Sequence, residues 1–466
     1  MREFELVIDD HLKNGLTPFD LTPFNTPVLN ECLGFRVGNA GLELYEELEN
    51  PIDPALDIQY VWPFPQFIVG ERYNFLIVRS VIDLCDYVYI ISNDHLTTTL
   101  IATIDIATYG QGTLMEVADF GEYAFLTNGV VMIYLNTTTG VWHTVTSSVN
   151  IPRMRTVCNF KGQAVGGCIV SAWPATDPQC DATYYAWSRI GMINFIPTLT
   201  NEEGYKRCPY GGEVYNVRRL KDVVIGYSSK GITKLMPVSS PAATFGFEEL
   251  SDIGLINRGA IAGSFDRHVY VGEDHRLREI TKEGIKELGY KQYMEQLTLE
   301  PIIVSYDPTN KDFYIGNSSK TFLLSPKGLS EIPQHPSAVW RRDRQSYCLP
   351  ETIDDYKNLI VTEAFDMGYS GQKTIFSIES NLLLASNPEA AVDYYLNPTT
   401  YQTTAYRPLN NQGIASLIAA GNAFRIRLRF DPFYDNSRIS FIKVRYKMTD
   451  MRGIRGVYAP PPRGQS

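Results

Sequence analysis

Short apolar segments that each end in a small residue recur along the chain and predict its main structural unit. Most intervals between them fall between 35 and 46 residues, and one is 60. Turn residues and further strand-like segments follow most copies, as in Asn128-Gly129 before "VVMIYL". Four strands per unit of about 40 to 50 residues is the pattern of a β-propeller blade. The segments lie at 89–92, 124–127, 163–166, 223–226, 269–272, 313–316 and 359–362.

This repeat predicts an all-β fold whose main part is a β-propeller of six or seven blades over 65–365. Because each segment is continuously apolar, we expect it to be the inner strand of its blade, covered on both faces by neighbouring blades. The interval of 60 residues predicts one blade with an enlarged loop. A β-sandwich or several small β domains are the alternative, because any all-β chain has frequent turns and the WD and kelch signatures are absent.

After residue 387 the pattern changes to strict alternation of apolar and basic residues, which gives a strand one buried and one basic face. The turn-rich link "DPFYDNS" predicts that two such strands pair as a hairpin and present six cations on one surface. The cations are Arg425, Arg427 and Arg429 in "FRIRLRF" and Lys443, Arg445 and Lys447 in "IKVRYK".

Three roles for this basic surface are open: contact with an acidic partner, direct contact with nucleic acid, and solvated edge charges. The aromatic and aliphatic side chains of the two strands fall on the opposite face. The surface therefore lacks the exposed stacking platform of a single-strand binder. We prefer the acidic partner.

Charge is unevenly distributed along the chain, whose net charge is −10. The first sixty residues hold twelve acidic and three basic residues, whereas 401–466 hold eleven basic and three acidic ones. One interpretation is that these are solvated faces with no shared meaning. The other is that the acidic and basic ends meet, either within one subunit or between neighbouring subunits.

Composition excludes several other classes of protein. No run of about 18 apolar residues exists, and "MREFELVIDD" lacks the basic-then-apolar pattern of a secretory signal. We therefore expect no membrane segment and folding in a cytoplasm. The seven cysteines never show C-x-x-C spacing, which predicts reduced packing residues rather than disulfides or a zinc ribbon. We expect no cofactor.

The stretch "HVYVGEDHRLREI" is a candidate for chemistry because it holds two of the six histidines. As a hairpin with a tight turn at Glu273-Asp274, it places His268 opposite Glu279. The two histidines are then about 13 Å apart, too far to share a zinc ion. No nucleophile or phosphate-loop motif is present, and only acid pairs such as Glu248-Glu249 or Asp354-Asp355 could suggest a glycosidase. We therefore expect no enzyme activity.

The C-terminal sequence resembles a known family. "MGYSGQKTI", "YRPLNNQGIASLIAAGNAFRIRLRF" and "ISFIKVRYKMTDMRGIRGVYAPPP" are similar to tail-nozzle proteins of short-tailed bacteriophages, which include the packaged-DNA stabilisation proteins. The similarity is strongest over 365–462 and weaker through the blades. The matching positions are Pro408, Leu409, Asn410, Gly413, Asp450, Arg452, Ile454, Arg455, Gly456, Tyr458, Ala459, Pro460 and Pro461.

The resemblance implies a homohexameric ring below the portal and its adaptor in the virion tail, assembled in the cytoplasm of a bacterial host. Such a nozzle retains packaged double-stranded DNA and conducts it during ejection. Tail fibres or spikes and a plug or needle protein are candidate further partners. The second hypothesis is a propeller module that binds a receptor or glycan, and the third is a polysaccharide hydrolase.

We divide the chain into an N-terminal segment at 1–64, the propeller at 65–365 and a β-rich platform at 366–466. The platform would be built from the N- and C-terminal regions and would carry assembly. The residues that we assign to assembly are the six strand cations together with Arg452 and Arg455.

Overall fold

Nearly all regular structure in the described residues is β, which confirms the predicted fold class. The computed structural model of the chain describes residues 3–49, 64–68, 71–80, 84–91, 98–105, 116–120, 124–136, 141–145, 150–174, 179–197, 202–238, 244–297, 299–336, 339–342, 345–348, 356–382, 386–397, 400–431 and 438–449.

The N-terminal region forms four short strands and one short helix. The helix begins with Asp10 in its first turn and ends before Gly15, whose φ of +67° suits a residue without a side chain. The elements are β1 (Glu3–Ile8), α1 (Asp10–Asn14), β2 (Leu29–Leu33), β3 (Phe35–Gly38) and β4 (Gly41–Leu44).

Six consecutive blades of four antiparallel strands follow in the described part of the chain, and we number them 1 to 6; blades 1 to 5 are separate sheets, whereas the strands of blade 6 are part of a larger sheet. Helix α2 (Lys291–Met294) and a 3-10 turn (Glu295–Leu297) connect blades 5 and 6. Blades 1 to 3 comprise β5 (Phe64–Ile68), β6 (Glu71–Ser80), β7 (Cys85–Ile91) and β8 (Thr98–Asp105); β9 (Glu116–Asp119), β10 (Ala124–Thr127), β11 (Met132–Asn136) and β12 (Val141–Val145); β13 (Met154–Phe160), β14 (Gln163–Ile169), β15 (Tyr184–Trp187) and β16 (Gly204–Arg207). Blades 4 to 6 comprise β17 (Val214–Leu220), β18 (Val223–Ser228), β19 (Gly231–Val238) and β20 (Thr244–Ser251); β21 (Ile261–Gly263), β22 (His268–Val271), β23 (Leu277–Thr281) and β24 (Gly284–Gly289); β25 (Ile303–Asp307), β26 (Asp312–Gly316), β27 (Thr321–Leu324) and β28 (Leu329–Ile332).

The blades are arranged as a ring through their first strands. β13 contacts both β9 and β17, and β21 contacts β25. A further hairpin of β29 (Val339–Arg342) and β30 (Gln345–Cys348) holds the seventh position, because β29 contacts β25 on one side and β5 on the other. The propeller is therefore closed by seven units, of which the seventh has two described strands.

The recurrent apolar segments are strands, but they are not the inner strands that we predicted. Five of them coincide with β10, β14, β18, β22 and β26, the second strand of each blade. The second strand has a hydrogen-bonded neighbour on each edge and a blade on each face. Every residue of β14 and β22 is accordingly buried.

The first and last segments of the series differ from the other five. Residues 89–91 belong to the third strand of blade 1, and Ser92 lies outside the described residues. Leu359–Thr362 is not a blade strand, because it lies in a sheet formed with N- and C-terminal strands. The interval of 60 residues does contain enlarged connections, on either side of β15 in blade 3.

The C-terminal strands form three sheets with strands from the N-terminal region, and we call this unit, β1–β4 with β31–β39, the platform. The smallest sheet has the order β3-β4-β38. Of the two larger sheets, the first has the order β1-β39-β32-β36 and the second contains β2-β31-β37-β33-β34. The second is continuous with blade 6, because β2 pairs with β28. The strands are β31 (Asn358–Thr362), β32 (Lys373–Ser380), β33 (Ser386–Asn397), β34 (Thr400–Thr403), β35 (Arg407–Pro408), β36 (Ile414–Gly421), β37 (Ala423–Asp431), β38 (Arg438–Ile439) and β39 (Ile442–Met448).

The two alternating strands do not form the predicted hairpin. β37 lies between β31 and β33, whereas β39 lies between β1 and β32 in the other sheet. Alternation fixes which face of a strand is buried, but it leaves the identity of the neighbouring strand open. The apolar faces of both strands, including Ile426 and Val444, belong to one hydrophobic core that extends to Tyr227 and Tyr270 in blades 4 and 5.

Candidate interaction surface

The basic face of β37 is paired with acidic residues of the same chain. Arg425 contacts Glu363 at 2.7 Å and Arg429 contacts Glu389 at 2.7 Å. Arg427 donates through Nε to both carboxylate oxygens of Asp393, at 2.9 and 3.0 Å. β33 runs antiparallel to β37 and supplies two of these acids from directly opposite or diagonal positions.

Asp393 is the most buried member of this surface, with its side chain 0% exposed. Thr403 donates a hydrogen bond to it at 2.7 Å, so the carboxylate is held from two strands. Burial alone would lower the pKa of Arg427. The hydrogen bonds and the charge of Asp393 outweigh that effect and raise the pKa above its ordinary value.

The basic face of β39 is compensated in the same way by its two neighbouring strands. Lys443 contacts Glu379 of β32 at 3.3 Å. Arg445 lies between Glu379 and Glu5, at 3.1 and 3.0 Å. The acidic N-terminal and basic C-terminal regions therefore meet within one subunit, and Lys447 and Glu3, 2.9 Å apart, continue the series.

These contacts change the interpretation of the six strand cations. They lie on two sheets rather than on one surface, and each has an acidic partner within the chain. Their role in holding the platform together is direct, whereas a role in assembly remains a prediction. Arg452 and Arg455 lie outside the described residues.

The element Pro408-Leu409-Asn410-x-x-Gly413 forms the turn that starts β36. The side chain of Asn410 accepts hydrogen bonds from the backbone N–H of Gln412 and Ile414, at 2.9 and 3.1 Å. Gly413 has a φ of +73°, a conformation that favours glycine. Leu409 is buried. The remaining positions that we carried over from the resemblance lie outside the described residues; they are Asp450, Arg452, Ile454, Arg455, Gly456, Tyr458, Ala459, Pro460 and Pro461.

Lys373 is a buried cation that our sequence analysis missed. Its Nζ donates to the backbone carbonyl of Asn422 at 2.8 Å and to that of Tyr369, and burial lowers the pKa of its ammonium group. In "KTIFSIES" the alternation places Lys373 on the same face as buried Ile375, and this position was the sequence signal for its burial. The residue ties the loop before β32 to the turn between β36 and β37.

We expect Lys373→Met to lower the free energy of unfolding by about 1–3 kcal/mol, because two backbone carbonyl groups lose the donor that the buried lysine supplies. The exposed Lys282 offers a control, and Lys282→Met should change stability by less than about 0.5 kcal/mol. Urea denaturation followed by tryptophan fluorescence measures both. Equal stability of the two variants would contradict the anchoring role.

The histidine hairpin differs from our prediction by one residue in register. His268 pairs with Ile280, and Val269 with Glu279. The loop is longer than a two-residue turn because His275 adopts a φ of +62° and donates its backbone N–H to the carbonyl of Gly272. The predicted pair of His268 and Glu279 is therefore wrong.

His268 is instead buried between blades 4 and 5. Its Nε2 donates to the backbone carbonyl of Arg219 at 3.1 Å, so its Nδ1 accepts from the hydroxyl of Tyr227 at 2.9 Å. Burial lowers the pKa of His268 to about 3, and the charge of Arg218 contributes to the shift. The ring is thus a neutral connector between two blades.

A second buried polar cluster joins the first strands of blades 2, 3 and 4. Asn216 donates its side-chain N–H to Glu116 at 2.9 Å, and Thr156 accepts from the backbone N–H of Val217 at 2.9 Å. Burial raises the pKa of Glu116, although Arg218 acts in the opposite direction. The cluster aligns neighbouring blades at the centre of the ring.

The other candidates for chemistry are accounted for as far as the structure describes them. Within the described residues, no three His, Cys, Asp or Glu side chains are grouped to hold a metal ion. Glu248 forms an ion pair with Lys234 at 2.8 Å, and Asp354 and Asp355 lie outside the described residues. The cysteines with a described state are free thiols, as predicted; they are Cys32, Cys85, Cys158, Cys168, Cys180 and Cys208.

Comparison with known proteins gives structural likenesses alone. No protein-family model matches the chain, and no curated protein matches it in sequence. Similar solved structures include the Pan2 WD40 domain of Neurospora crassa, with a TM-score of 0.35 and 7% identity over 81% of this chain and 91% of that one. Hsv2 of Kluyveromyces lactis has a TM-score of 0.31 and 8% identity over 60% of this chain and 82% of that one. A glycoside hydrolase has a TM-score of 0.26 and 11% identity over 82% of this chain and 96% of that one.

These identities and TM-scores are too low to carry a conclusion about function. The propeller is established by the sheets themselves. None of the helices in the described ranges is long and apolar enough to cross a membrane.

Proposed function

We propose that the chain is a structural virion protein, without enzyme activity, that forms the homohexameric tail nozzle of a short-tailed bacteriophage. The observation that carries the proposal is the position of the resemblance. Its strongest part, 365–462, covers most of the platform strands, and Pro408 to Gly413 build the turn that starts β36. The similar residues that the structure describes thus belong to one structural unit rather than to scattered surface positions.

The proposed mechanical role requires a subunit that behaves as one block. The sheet of blade 6 continues through β2 into the platform, and Arg36 of β3 pairs with the buried Asp312 of blade 6 at 2.6 Å. The same hydrophobic core reaches from blades 4 to 6 into all three platform sheets. Such continuity opposes hinge motion between propeller and platform and suits a ring that must withstand the pressure of packaged DNA.

The electrostatics support a conduit for DNA. The chain carries a net charge of −10, and the strand cations of the platform are neutralised by acids of the same chain. Basic surfaces bind phosphates by counter-ion release, which would retard DNA in transit. In the proposed assembly the ring lies below the portal adaptor, with fibres or spikes and a plug or needle as further partners.

Receptor or glycan binding is the second candidate function. Blade 3 favours it, because its enlarged connection after β15 exposes Ile190 and Met192. Loops that project from a rigid propeller are common binding elements. A polysaccharide hydrolase remains the third and least supported hypothesis.

The mass of the purified protein in solution separates these functions. We expect a species six times the 52.6 kDa chain mass by mass photometry, alone or after addition of the adaptor protein from the same phage. A strictly monomeric protein that binds oligosaccharides on a glycan array would support the second candidate and contradict the nozzle. Turnover of a capsular polysaccharide would support the third.

A further inference from the structure

The turns that join the first to the second strand in blades 3, 4 and 5 form one continuous surface. Because the first strands of a propeller all run in the same direction across the ring, such turns lie on the same face. Lys161 of blade 3 pairs with Asp222 of blade 4 at 3.0 Å, and Lys221 pairs with Asp266 of blade 5 at 3.3 Å. Lys221 also donates its backbone N–H to the carbonyl of Phe265 at 2.9 Å. The three turns are thus held together as one surface.

The enlarged connection after β15 adds a tight turn to this surface. Met192 donates its backbone N–H to the carbonyl of Arg189 at 3.3 Å, which closes the turn. Gly191 donates its backbone N–H to the carbonyl of Gly162 at 2.8 Å, which fixes it to the first turn of blade 3. A side chain at Gly191 would meet no atom of the described residues within 4 Å. The added turn is therefore anchored at its base and open at its tip.

The tip of this turn is apolar. Ile190 is 54% exposed and Met192 is 55% exposed, and Phe265 on the same surface is 51% exposed. Apolar side chains at the tip of a turn form no groove for a partner, but they can enter the boundary between the headgroups and the acyl chains of a lipid layer. Ile190 has no hydrogen-bonding group and Met192 has only a weak acceptor, so the tip offers little to a glycan.

Cations surround the apolar tip. We call the group of turns at 160–162, 189–192, 219–222, 264–267 and 281–284 the turn surface. Its basic residues are Lys161, Arg189, Arg219, Lys221, Arg267 and Lys282, and its acidic residues are Asp222, Asp266 and Glu283. Arg267 is neutralised by Glu279 at 2.5 Å, whereas neither Arg189 nor Lys282 forms an ion pair in the part of the chain that the structure describes. The turn surface is therefore positive, although the whole chain has a net charge of −10.

The acids of the turn surface are engaged by its own cations. Asp222 has a pKa below its ordinary value, chiefly because Lys161 donates a hydrogen bond to it. The charges of Arg219 and Lys282 lower this pKa further, which places Lys282 beside the turn of blade 4. Arg219 also lies over the ring of Phe265, 4.7 Å from its centroid. The charge that the surface offers to a partner is thus positive and lies beside exposed apolar side chains.

We propose that the turn surface docks on an anionic lipid layer, with Ile190 and Met192 inserted between the lipids and the cations against the lipid phosphates. Attachment of this kind needs apolar side chains that enter the interface and basic residues that are attracted to anionic headgroups. The turn surface supplies both, whereas the negative charge of the rest of the chain is repelled by the same layer. The contact lies within one subunit, so it goes beyond the proposed ring and does not rest on it.

Co-flotation of the full chain with vesicles tests the contact. We expect half-maximal binding below about 1 mM lipid on phosphatidylcholine vesicles with about 40% phosphatidylglycerol, and little binding on phosphatidylcholine alone. The double variant Ile190→Asp, Met192→Asp should bind at least about 10-fold more weakly, because it removes the apolar tip. Arg189→Glu combined with Lys282→Glu should also weaken binding at least about 10-fold, because it reverses two unpaired cations.

Two control residues lie on the opposite face of the ring. Leu299, which is 92% exposed between blades 5 and 6, is the control for the apolar tip. Lys230, which is 65% exposed on the turn between the second and third strands of blade 4, is the control for the cations. Leu299→Asp and Lys230→Glu should bind the anionic vesicles as the parent chain does. All variants change exposed side chains, so their urea midpoints should match that of the parent chain.

Insertion of the tip is measured separately with Met192→Trp. Brominated phosphatidylcholine, mixed with phosphatidylglycerol, quenches a tryptophan that enters the acyl region. We therefore expect stronger quenching for this variant than for the parent chain. Equal quenching of the two chains would contradict insertion.

No binding at millimolar anionic lipid, equal binding to both vesicle types, or parent-like binding by Ile190→Asp, Met192→Asp would overturn the proposal. Tighter binding to duplex DNA or polyglutamate that ignores these two substitutions would also overturn it, because the surface would then serve a soluble polyanion. Six-fold rings without vesicle binding would remove the lipid contact and leave the nozzle standing. Vesicle binding by a strictly monomeric chain would do the reverse.

Discussion

Asp393→Ala is expected to lower the free energy of unfolding by about 3–5 kcal/mol, because it removes the buried partner of Arg427 and leaves only Glu31, 3.7 Å away and half-exposed, as a counter-charge. The carboxylate is fully buried and accepts from Arg427 and Thr403, so its loss breaks contacts to both neighbouring strands. Urea denaturation at pH 7 measures the change.

Glu389→Ala is the matched control for this prediction. Glu389 also pairs with an arginine of β37, but both partners are more exposed, at 26% and 36%. Solvent screens such a pair, so we expect a loss of less than about 1 kcal/mol. If the two variants lose equal stability, the buried ion pair of Asp393 contributes no more to the platform than the exposed pair of Glu389.

Stability should fall as the pH drops below about 6.5, in part because His268 is held neutral. The folded pKa of about 3 lies below the ordinary value, so the unfolded chain binds more protons between pH 6.5 and pH 3. The stabilisation that neutral His268 contributes is therefore complete above pH 6.5 and is lost progressively toward pH 3. Between pH 7 and pH 4.5 the contribution of His268 to this loss is about 2–3 kcal/mol.

His268→Gln isolates that contribution, because glutamine does not titrate. Comparison of urea midpoints at pH 7 and pH 4.5 should show a smaller pH dependence for this variant than for the parent chain. His143→Gln serves as the control, since His143 is half-buried in blade 2 and stacks on Tyr134. An unchanged pH dependence in His268→Gln would contradict the assignment of His268 as a neutral ring that connects two blades.

The strands of the propeller could be predicted because burial leaves a direct trace in sequence. β14 and β22 are buried at every position, and their continuous apolar runs marked two of the blades. The position of these strands within the blade could not be predicted in the same way. The second strand of a blade lies between two sheet neighbours, and the first strand lies at the centre of the ring. Both positions are covered on two faces, so burial does not distinguish them.

Pairing partners were harder to predict than strands. The alternation in "FRIRLRF" and "IKVRYK" gave the correct buried faces, but the partners of both strands lie far away in the chain, at Glu5, Glu363 and Glu379. Only Glu5 was visible in advance, as part of the acidic composition near the N-terminus. Of the two interpretations of the charged ends, the structure supports the one in which they meet, because Glu5 and Arg445 pair within one subunit.

The roles of single residues, such as His275 and Lys373, were also hard to predict from the sequence. His275 occupies a left-handed conformation that more often holds glycine or asparagine, and this one residue shifted the register of the hairpin at His268. Lys373 was overlooked because a lysine on a buried face is rare. Its backbone carbonyl partners leave no sequence signature, since any residue supplies a carbonyl group.

Negative-stain electron microscopy of the purified chain shows directly whether it forms the proposed nozzle. We expect closed rings with six-fold symmetry, in which each subunit shows a disc-shaped propeller joined to a compact platform. Class averages that show only single propellers at every protein concentration, with and without the adaptor, would contradict it.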